Sequence, residues 1–465
     1  MIHVFKKIIL DNFKSFEHIE LDLSGTGEKP KNWALIYGEN GSGKSNIISS
    51  FVFLKKTIDT LKASDEIESF VAGAMGPTGV DEYETYAQLL FDVVSRQTNL
   101  QTIAKQYRMM GSETGPRVSF GFQIEGHDGY YEMEFDDQDR LISERLFHTL
   151  NERAGLIFEI KRETSADVLR MPKEESSIYL SPSMFKNKNY EKRILQLIDQ
   201  YWGKHTFLSI LNAQSEENNE KFMKDSVTVG VLRVMDFFES FAVFCDGKKL
   251  QAKHDSPYER ILAGLSKGVI SPGSEKQLLI FEEMLNDFFT RAYSDIKKVY
   301  YKRETVEGKI RYELFFKKQI YGKIREISIG FESSGTQRLL ANFPAFYECA
   351  CGKTVLIDEM DTGIHDLLMD GVFGEVSKSL KGQFIATTHN TLLMEHASPE
   401  NVYVIRIDSS GYKDIECFKK IDRTQKNHNN RDRYLSGMFD GIPMIGPIGF
   451  SEIVSHARDS LEVCK

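Results

Sequence analysis

The segment GENGSGKS, residues 38–45, constrains this chain more than any other. It follows an unbroken apolar run from Trp33 to Tyr37 and precedes helical spacing through Ile47, Ile48, Phe51, Val52 and Leu54. A buried strand, a glycine loop and a helix in that order are the setting in which G-x-x-x-x-G-K-[ST] cradles phosphate. Gly38, Gly41 and Gly43 let backbone N–H groups turn inward, and the helix adds the partial positive charge of its N-terminus. Lys44 has the reach for β- and γ-phosphates, and the Ser45 hydroxyl is a magnesium ligand in loops of this kind. Asn40 in the loop and Asn46 in the first helical turn complete the candidate phosphate-binding set.

Three further segments carry chemistry. TVLIDEMD, residues 354–361, reads as a short apolar strand ending in Asp358 and Glu359. Parallel strands present their C-terminal ends at the sheet edge where ligands collect. Asp358 is there a magnesium ligand, directly or through water, and Glu359 accepts a proton from the attacking water or orients it. FESSGTQRLLANFPAFY, residues 331–347, opens a helix at Ser333, Ser334 and Gly335. A serine hydroxyl on a helix N-terminus makes a second anion site. QFIATTHN, residues 383–390, places His389 at the end of another apolar strand.

A length of 465 residues predicts more than one structural unit. KKIILDNFKSFEHIELDLSG alternates on both sides of a polar break at residues 11–15, the pattern of a hairpin. Residues 117–150 read as an antiparallel meander. Residues 184–289 read as mainly helical, including VGVLRVMDFFESFAVF, and residues 297–331 return to strands. No apolar heptad persists long enough for a long coiled coil. From Ser333 onward helix and strand alternate, which predicts a parallel sheet covered on both faces. The expected division is 1–165, an N-terminal half with the phosphate loop and meander; 166–320, a mainly helical insertion ending in basic strands; and 321–465, a C-terminal half with the remaining motifs.

Hydrophobic residues make up 41% and charged residues 27%, and no apolar run reaches the roughly 20 residues of a membrane span. The first residues lack a leader pattern, so the cytoplasm is the expected compartment. Five scattered cysteines argue against a disulfide framework. Cys349 and Cys351 are read either as half of a metal site or as a helix end entering a strand. The net charge of −9 is unevenly spread: between Lys297 and Arg325 ten Lys or Arg face three Glu, with Tyr300, Tyr301, Tyr312, Phe315, Phe316 and Tyr321 interleaved. That stretch is suited to an acidic partner.

The four motifs GENGSGKSN, SSGTQR, VLIDEMD and ATTHN, with the opening LDNFKSF, resemble the ABC-type ATPase heads of the SMC and RecF group. DEMDTGIH, TTHNTLLM and RDRYLSGMFDGIPMIG further resemble stand-alone prokaryotic ATPases of the AAA ATPase-like families, many of them encoded beside a nuclease. The resemblance spans residues 1–150 and 320–450. It implies an α/β head with a mixed and parallel sheet flanked by helices, an antiparallel β lobe, and ATP and Mg2+ as cofactors. It also implies a homo-oligomer, at least a dimer, in which Ser334 and Gly335 cap the γ-phosphate held by another copy. His389 would contact that phosphate, Lys14 and Ser15 would lie near the nucleotide, and Asp361 would meet the other protomer. The glutamine that such heads place at the site is either Gln88 or Gln123. The function implied is that of an oligomeric ATP-hydrolysing sensor or scaffold in anti-phage defence, with a Toprim-type nuclease effector as partner and an acidic phage protein as trigger. A RecF-like ATPase bound to nucleic acid is the alternative.

Overall fold

The computed structural model describes residues 3–25, 27, 29–65, 99–150, 153–164, 174–250, 256–422, 429–442 and 446–463. The opening hairpin forms as its alternation predicts: β1 (His3–Phe13) and β2 (Phe16–Asp22) pair antiparallel around a turn at Lys14 and Ser15. β3 (Trp33–Gly38), buried from Ala34 onward, feeds α1 (Lys44–Thr57). After α2 (Leu100–Tyr107) the meander β4 (Arg117–Ile124), β5 (His127–Phe135) and β6 (Leu141–Leu150) continues into β7 (Arg153–Thr164) and β8 (Glu174–Leu180). These strands make one seven-stranded antiparallel sheet in the order β2-β1-β4-β5-β6-β7-β8. Its inner face packs aromatic rings against α1: Phe5 and Phe120 lie edge-on or tilted to Phe51, with centroids 4.8 and 5.6 Å away.

Four helices follow: α3 (Lys188–Tyr201), α4 (Phe207–Glu217), α5 (Glu220–Ser226) and α6 (Val229–Ser240). Here the structure corrects the sequence reading, which carries helix through to Phe244. The helix stops at Ser240, and AVFC becomes β9 (Ala242–Cys245). A four-residue apolar run next to a helix has no period that tells a helix tail from a buried strand. Pairing decides it, because Val243 and Phe244 stand in parallel register with Leu356 and Ile357.

Beyond β10 (Lys248–Lys249) and α7 (Pro257–Ala263) lies a small separate sheet. β11 (Lys267–Ile270), α8 (Glu275–Ala292), β12 (Ile296–Val306), β13 (Lys309–Ile320) and β14 (Lys323–Ser328) come in that order. β12 runs along one edge of β13, while β11 and β14 divide the other, β11 taking residues 310–313 and β14 residues 315–320.

The last part alternates as expected: α9 (Ser334–Ala350), β15 (Val355–Ile357), α10 (Asp366–Ser379), β16 (Phe384–Thr387), β17 (Val402–Ile407) and β18 (Lys413–Cys417). With β3 they build the central sheet, ordered β10-β9-β15-β16-β3-β17-β18, in which the five inner strands are parallel and the two edges antiparallel. Residues from both ends of the chain therefore meet in one sheet. This mixed sheet with flanking helices and an antiparallel lobe is the α/β layout expected of an ABC-type head. No described helix is long and apolar enough to cross a membrane.

The two large sheets are tied by a buried amide. Gln383, at the start of β16, accepts from the Phe5 N–H at 2.8 Å and donates to the Phe5 and Lys31 carbonyls at 2.8 and 3.1 Å. A second buried junction holds the lobe to the helices. Glu144 on β6 accepts from the Tyr131 hydroxyl, the Trp202 indole and the backbone N–H groups of Phe207 and Leu208. Burial nevertheless lifts its carboxyl from 4.5 to about 7, the four donors pulling the other way. A carboxyl raised in the fold binds its proton more tightly there than in the unfolded chain. Its contribution to stability is full below about 4.5 and is lost as pH rises through about 7. We therefore expect Glu144→Gln to gain on the wild type as pH rises across that window, read as the difference between their melting temperatures. A difference independent of pH would contradict it.

Candidate nucleotide site

β3 delivers the chain to the C-terminal edge of the central sheet, where the phosphate loop turns into α1. Gly43 caps α1 with a left-handed backbone, φ 110°, and a Cβ there would lie 2.5 Å from the Phe16 ring. Only glycine satisfies both demands. The Lys44 ammonium folds back into the loop and donates to the Gly38 and Glu39 carbonyls at 2.8 and 3.0 Å. Burial lowers its pKa, while Glu359, Asp358, Asp361 and Glu39 act to raise it. Its partners are carbonyls, and among the described residues no carboxylate lies within ion-pair distance. Ser45 is exposed in the first turn, with Asn40 and Gly41 exposed at the crown of the loop.

The β1–β2 turn leans on this loop. Asn46 donates to the Ser15 hydroxyl at 2.8 Å. Lys14, with φ 54°, instead sets its ammonium 4.5 Å above the Tyr107 ring. Of that pair, Ser15 makes the direct contact with the loop.

Asp358 and Glu359 follow β15 at the same sheet edge. Thr387, the last residue of β16, joins them: its hydroxyl donates to Asp358 Oδ1 at 2.5 Å and accepts from the Glu359 N–H at 2.7 Å. Glu359 sits in a left-handed backbone, φ 49°, and its Oε2 accepts from the Thr362 hydroxyl at 3.0 Å. A non-glycine residue held there is strained backbone of the kind that accompanies function. The His389 N–H donates to Asp361 Oδ2 at 3.1 Å. Burial, then the Lys44 ammonium, push the His389 imidazole below its ordinary 6.5, so at neutral pH the ring is uncharged.

α9 is fastened to this acidic loop from behind. Ser333 caps it by accepting from the Thr336 N–H, and Ser334 is exposed at its first position. A Cβ on Gly335 would lie 2.8 Å from the Gly363 carbonyl, so the helix approaches the loop as closely as a backbone can. Asn342 donates to the Met360 carbonyl at 2.6 Å and Arg338 to the Glu359 carbonyl at 3.4 Å. Among the described residues no hydrogen bond joins Ser333 or Ser334 to the phosphate loop of the same chain.

Phosphate loop, acidic strand end and His389 thus converge, while Ser334 faces solvent. Gln123 does not join them. It pairs across from Val4, at the far end of β1 from the Lys14 turn, roughly 30 Å away at strand rise, and donates to Asp128. Gln88 lies outside the described residues. Cys349 and Cys351 occupy the end of α9, where the chain turns into β15. Asp361 makes its hydrogen bond within the chain, to His389. Sequence reasoning missed Thr387, Asn342, Arg338 and Lys413. Thr387 stands within ATTHN, next to a histidine already singled out. Lys413 comes from β18, donates to the Gly41 carbonyl at 2.9 Å and to the Ser15 hydroxyl at 3.0 Å, and carries no motif.

A family model described as "AAA domain, putative AbiEii toxin, Type IV TA system" matches residues 34–395, most of the chain and all four motifs. The chain belongs to this family. The match takes in the whole G-x-x-x-x-G-K-[ST] loop, in keeping with a general capacity to bind and hydrolyse ATP. A stretch of 49 residues is 47% identical to the chromosome partition protein Smc of Methanocaldococcus jannaschii, covering 10% of this chain and 4% of that protein. Among solved structures, the SMC head domain from Thermotoga maritima is similar at 15% identity and a TM-score of 0.37, over 89% of this chain and 98% of that one. An SmcHead bound to the C-winged helix domain of ScpA is similar at 15% identity and a TM-score of 0.44, over 90% and 99%.

The donor set fits magnesium. Ser45 and Asp358 offer hard oxygens, and magnesium takes one or two protein oxygens plus substrate phosphates rather than a full protein cage. No cluster of three His, Cys, Asp or Glu suited to a metal occurs among the described residues.

Proposed function

We propose that this protein is an ATP-hydrolysing head that closes in pairs over two nucleotides and uses that closure to hold DNA, in the manner of RecF-like maintenance ATPases. The observation that carries the pairing is the placement of α9: it is bonded to the acidic loop of its own chain, yet its N-terminal Ser334 is exposed. A second copy's Ser334 and Gly335 then complete the γ-phosphate end of the site. In this reading Gly38, Asn40, Gly41, Gly43 and Lys44 wrap the phosphates, with Asn46 and Ser15 beside them, and Ser45 and Asp358 hold magnesium. The chemistry that magnesium held by Ser45 and Asp358 would supply is neutralisation of phosphate charge. Glu359, held by Thr362 and Thr387, aligns the attacking water and takes its proton. His389 donates to the γ-phosphate.

The DNA reading is supported by the small sheet. Lys302 and Lys317 are paired with Glu326 at 3.0 and 3.5 Å, Lys302 also lying 4.0 Å above the Phe315 ring. Lys297, Lys298, Lys309, Arg311, Lys323 and Arg325 are exposed, with no ion pair among the described residues. Exposed cations beside aromatic rings suit a phosphate backbone and its bases. The identity to a chromosome partition protein points the same way.

A second reading is favoured by the family description, which names a toxin of a toxin–antitoxin system. Here the oligomer is a sensor or scaffold in anti-phage defence that holds a Toprim-type nuclease and frees it when an acidic phage protein occupies the same basic sheet. Length and layout resemble AriA, the ATPase of the PARIS system. Phosphate release by the purified protein, measured with and without duplex DNA, separates the two. DNA binding that weakens steeply with salt, with faster turnover, supports the first reading. No DNA binding in low salt removes it and leaves the second.

A further inference from the structure

Two ammonium groups, not one, converge on the phosphate loop. Lys44 arrives from within the loop. Lys413 arrives from the opposite end of the chain, at the start of β18, 398 residues from its partner Ser15. Its Nζ lies 2.9 Å from the Gly41 carbonyl, 3.0 Å from the Ser15 hydroxyl and 5.8 Å from the centroid of the Phe16 ring. Phe16 is the ring against which Gly43 packs, and Ser15 also accepts from Asn46. Lys413 is therefore part of the shell that shapes the loop.

Its partners are the telling feature. A partly buried ammonium is ordinarily paired with a carboxylate. Asp414, the acid next to it in sequence, is bonded to Arg406 instead, and among the described residues Lys413 has no carboxylate within ion-pair distance. Its neighbours are a carbonyl and a hydroxyl, much as those of Lys44 are two carbonyls. Two such cations bonded to one glycine loop at a helix N-terminus suit a polyanion of the phosphate class.

We propose that Lys413 is a second phosphate-binding lysine, serving the phosphates nearer the nucleoside. This rests on the nucleotide-binding reading above. Lys413 is bonded to the carbonyl of Gly41, at the crown of the loop, and among the described residues to none of Asp358, Glu359 and His389. It thus lies on the crown side, away from the acidic strand end. Its ammonium meets phosphates present in ADP as well as ATP and takes no part in hydrolysis. Gly441, in the segment after β18, packs against Val404 and Ile405 and reaches toward Gly38.

The test compares wild type with Lys413→Met, which keeps the aliphatic stem, Lys413→Arg and Lys44→Ala. Fluorescent ADP binding and the ATP dependence of phosphate release are measured for each. We expect Lys413→Met to weaken ADP binding and raise KM for ATP by a similar factor, about tenfold for one charge-assisted contact. Its kcat should stay within about twofold, and Lys413→Arg should recover most of the affinity. Unchanged ADP affinity in Lys413→Met, or a fall in kcat with KM unchanged, overturns the assignment. Loss of ADP binding in Lys44→Ala alone would leave the nucleotide site standing and Lys413 outside it. Failure of the wild type to bind ADP would instead overturn the nucleotide reading on which it rests. If Lys413→Met does not fold, Lys413→Gln takes its place with the same readout: ADP binding weakened about tenfold in a protein that melts normally supports the assignment, and unchanged ADP affinity overturns it.

Discussion

Glu359→Gln is expected to bind ATP as tightly as the wild type, within a few-fold, and to hydrolyse it at least a hundredfold more slowly. The amide keeps the size of the side chain and still accepts from Thr362, and the backbone bond from Glu359 to Thr387 is untouched. What is lost is a base at the position of the attacking water, worth about 10² to 10⁴ in rate. Phosphate release together with nucleotide binding separates this from damage to the site. Turnover near the wild-type rate would remove Glu359 from the chemistry and leave Asp358 or His389 to account for it.

Lys44→Ala is expected to lose nucleotide affinity by about a hundredfold or more. The ammonium bonds only to carbonyls of its own loop, so its charge is not spent on an internal ion pair. Charge-assisted bonds to two phosphates contribute roughly 1.5–3 kcal/mol each. The melting temperature should change little, because the loss falls on a loop whose shape is set by Gly43 against Phe16. Full affinity in Lys44→Ala would mean that GENGSGKS is a glycine turn and not a phosphate loop. The two variants also differ in kind. One stops the reaction with the nucleotide held, and the other stops the nucleotide from being held.

The parts legible in the sequence were those written in consecutive residues. The phosphate loop, the run before Asp358 and the strand before His389 each pair a local pattern with a residue type that chemistry demands, and the structure gathers all three at one sheet edge. Elements defined by distant pairing were not legible. β9 is four apolar residues at the end of a helical pattern, and only its register with β15 makes it a strand. Gln383 binds Phe5 across 378 residues, and Lys413 reaches Ser15 across 398, so no window of sequence contains either contact. Gln123 is the converse. Its residue type fits the site, but its register on β1 carries it to the wrong end of the strand. The basic stretch was visible as composition, whereas the pairing of Lys302 and Lys317 with Glu326 needed the fold of β12, β13 and β14.

Pairing of two copies follows from the exposed N-terminus of α9. A helix bonded through Asn342 and Arg338 to its own acidic loop, with Ser334 facing outward, has its anion site aimed at another molecule. Sedimentation of the Glu359→Gln protein tests this most directly, because that variant holds ATP without consuming it. The prediction is twice the chain mass with ATP and Mg2+, a return to the single-chain mass with ADP, and no doubling with ATP when Ser334→Arg is added. A single-chain mass with ATP demonstrably bound would contradict the composite site.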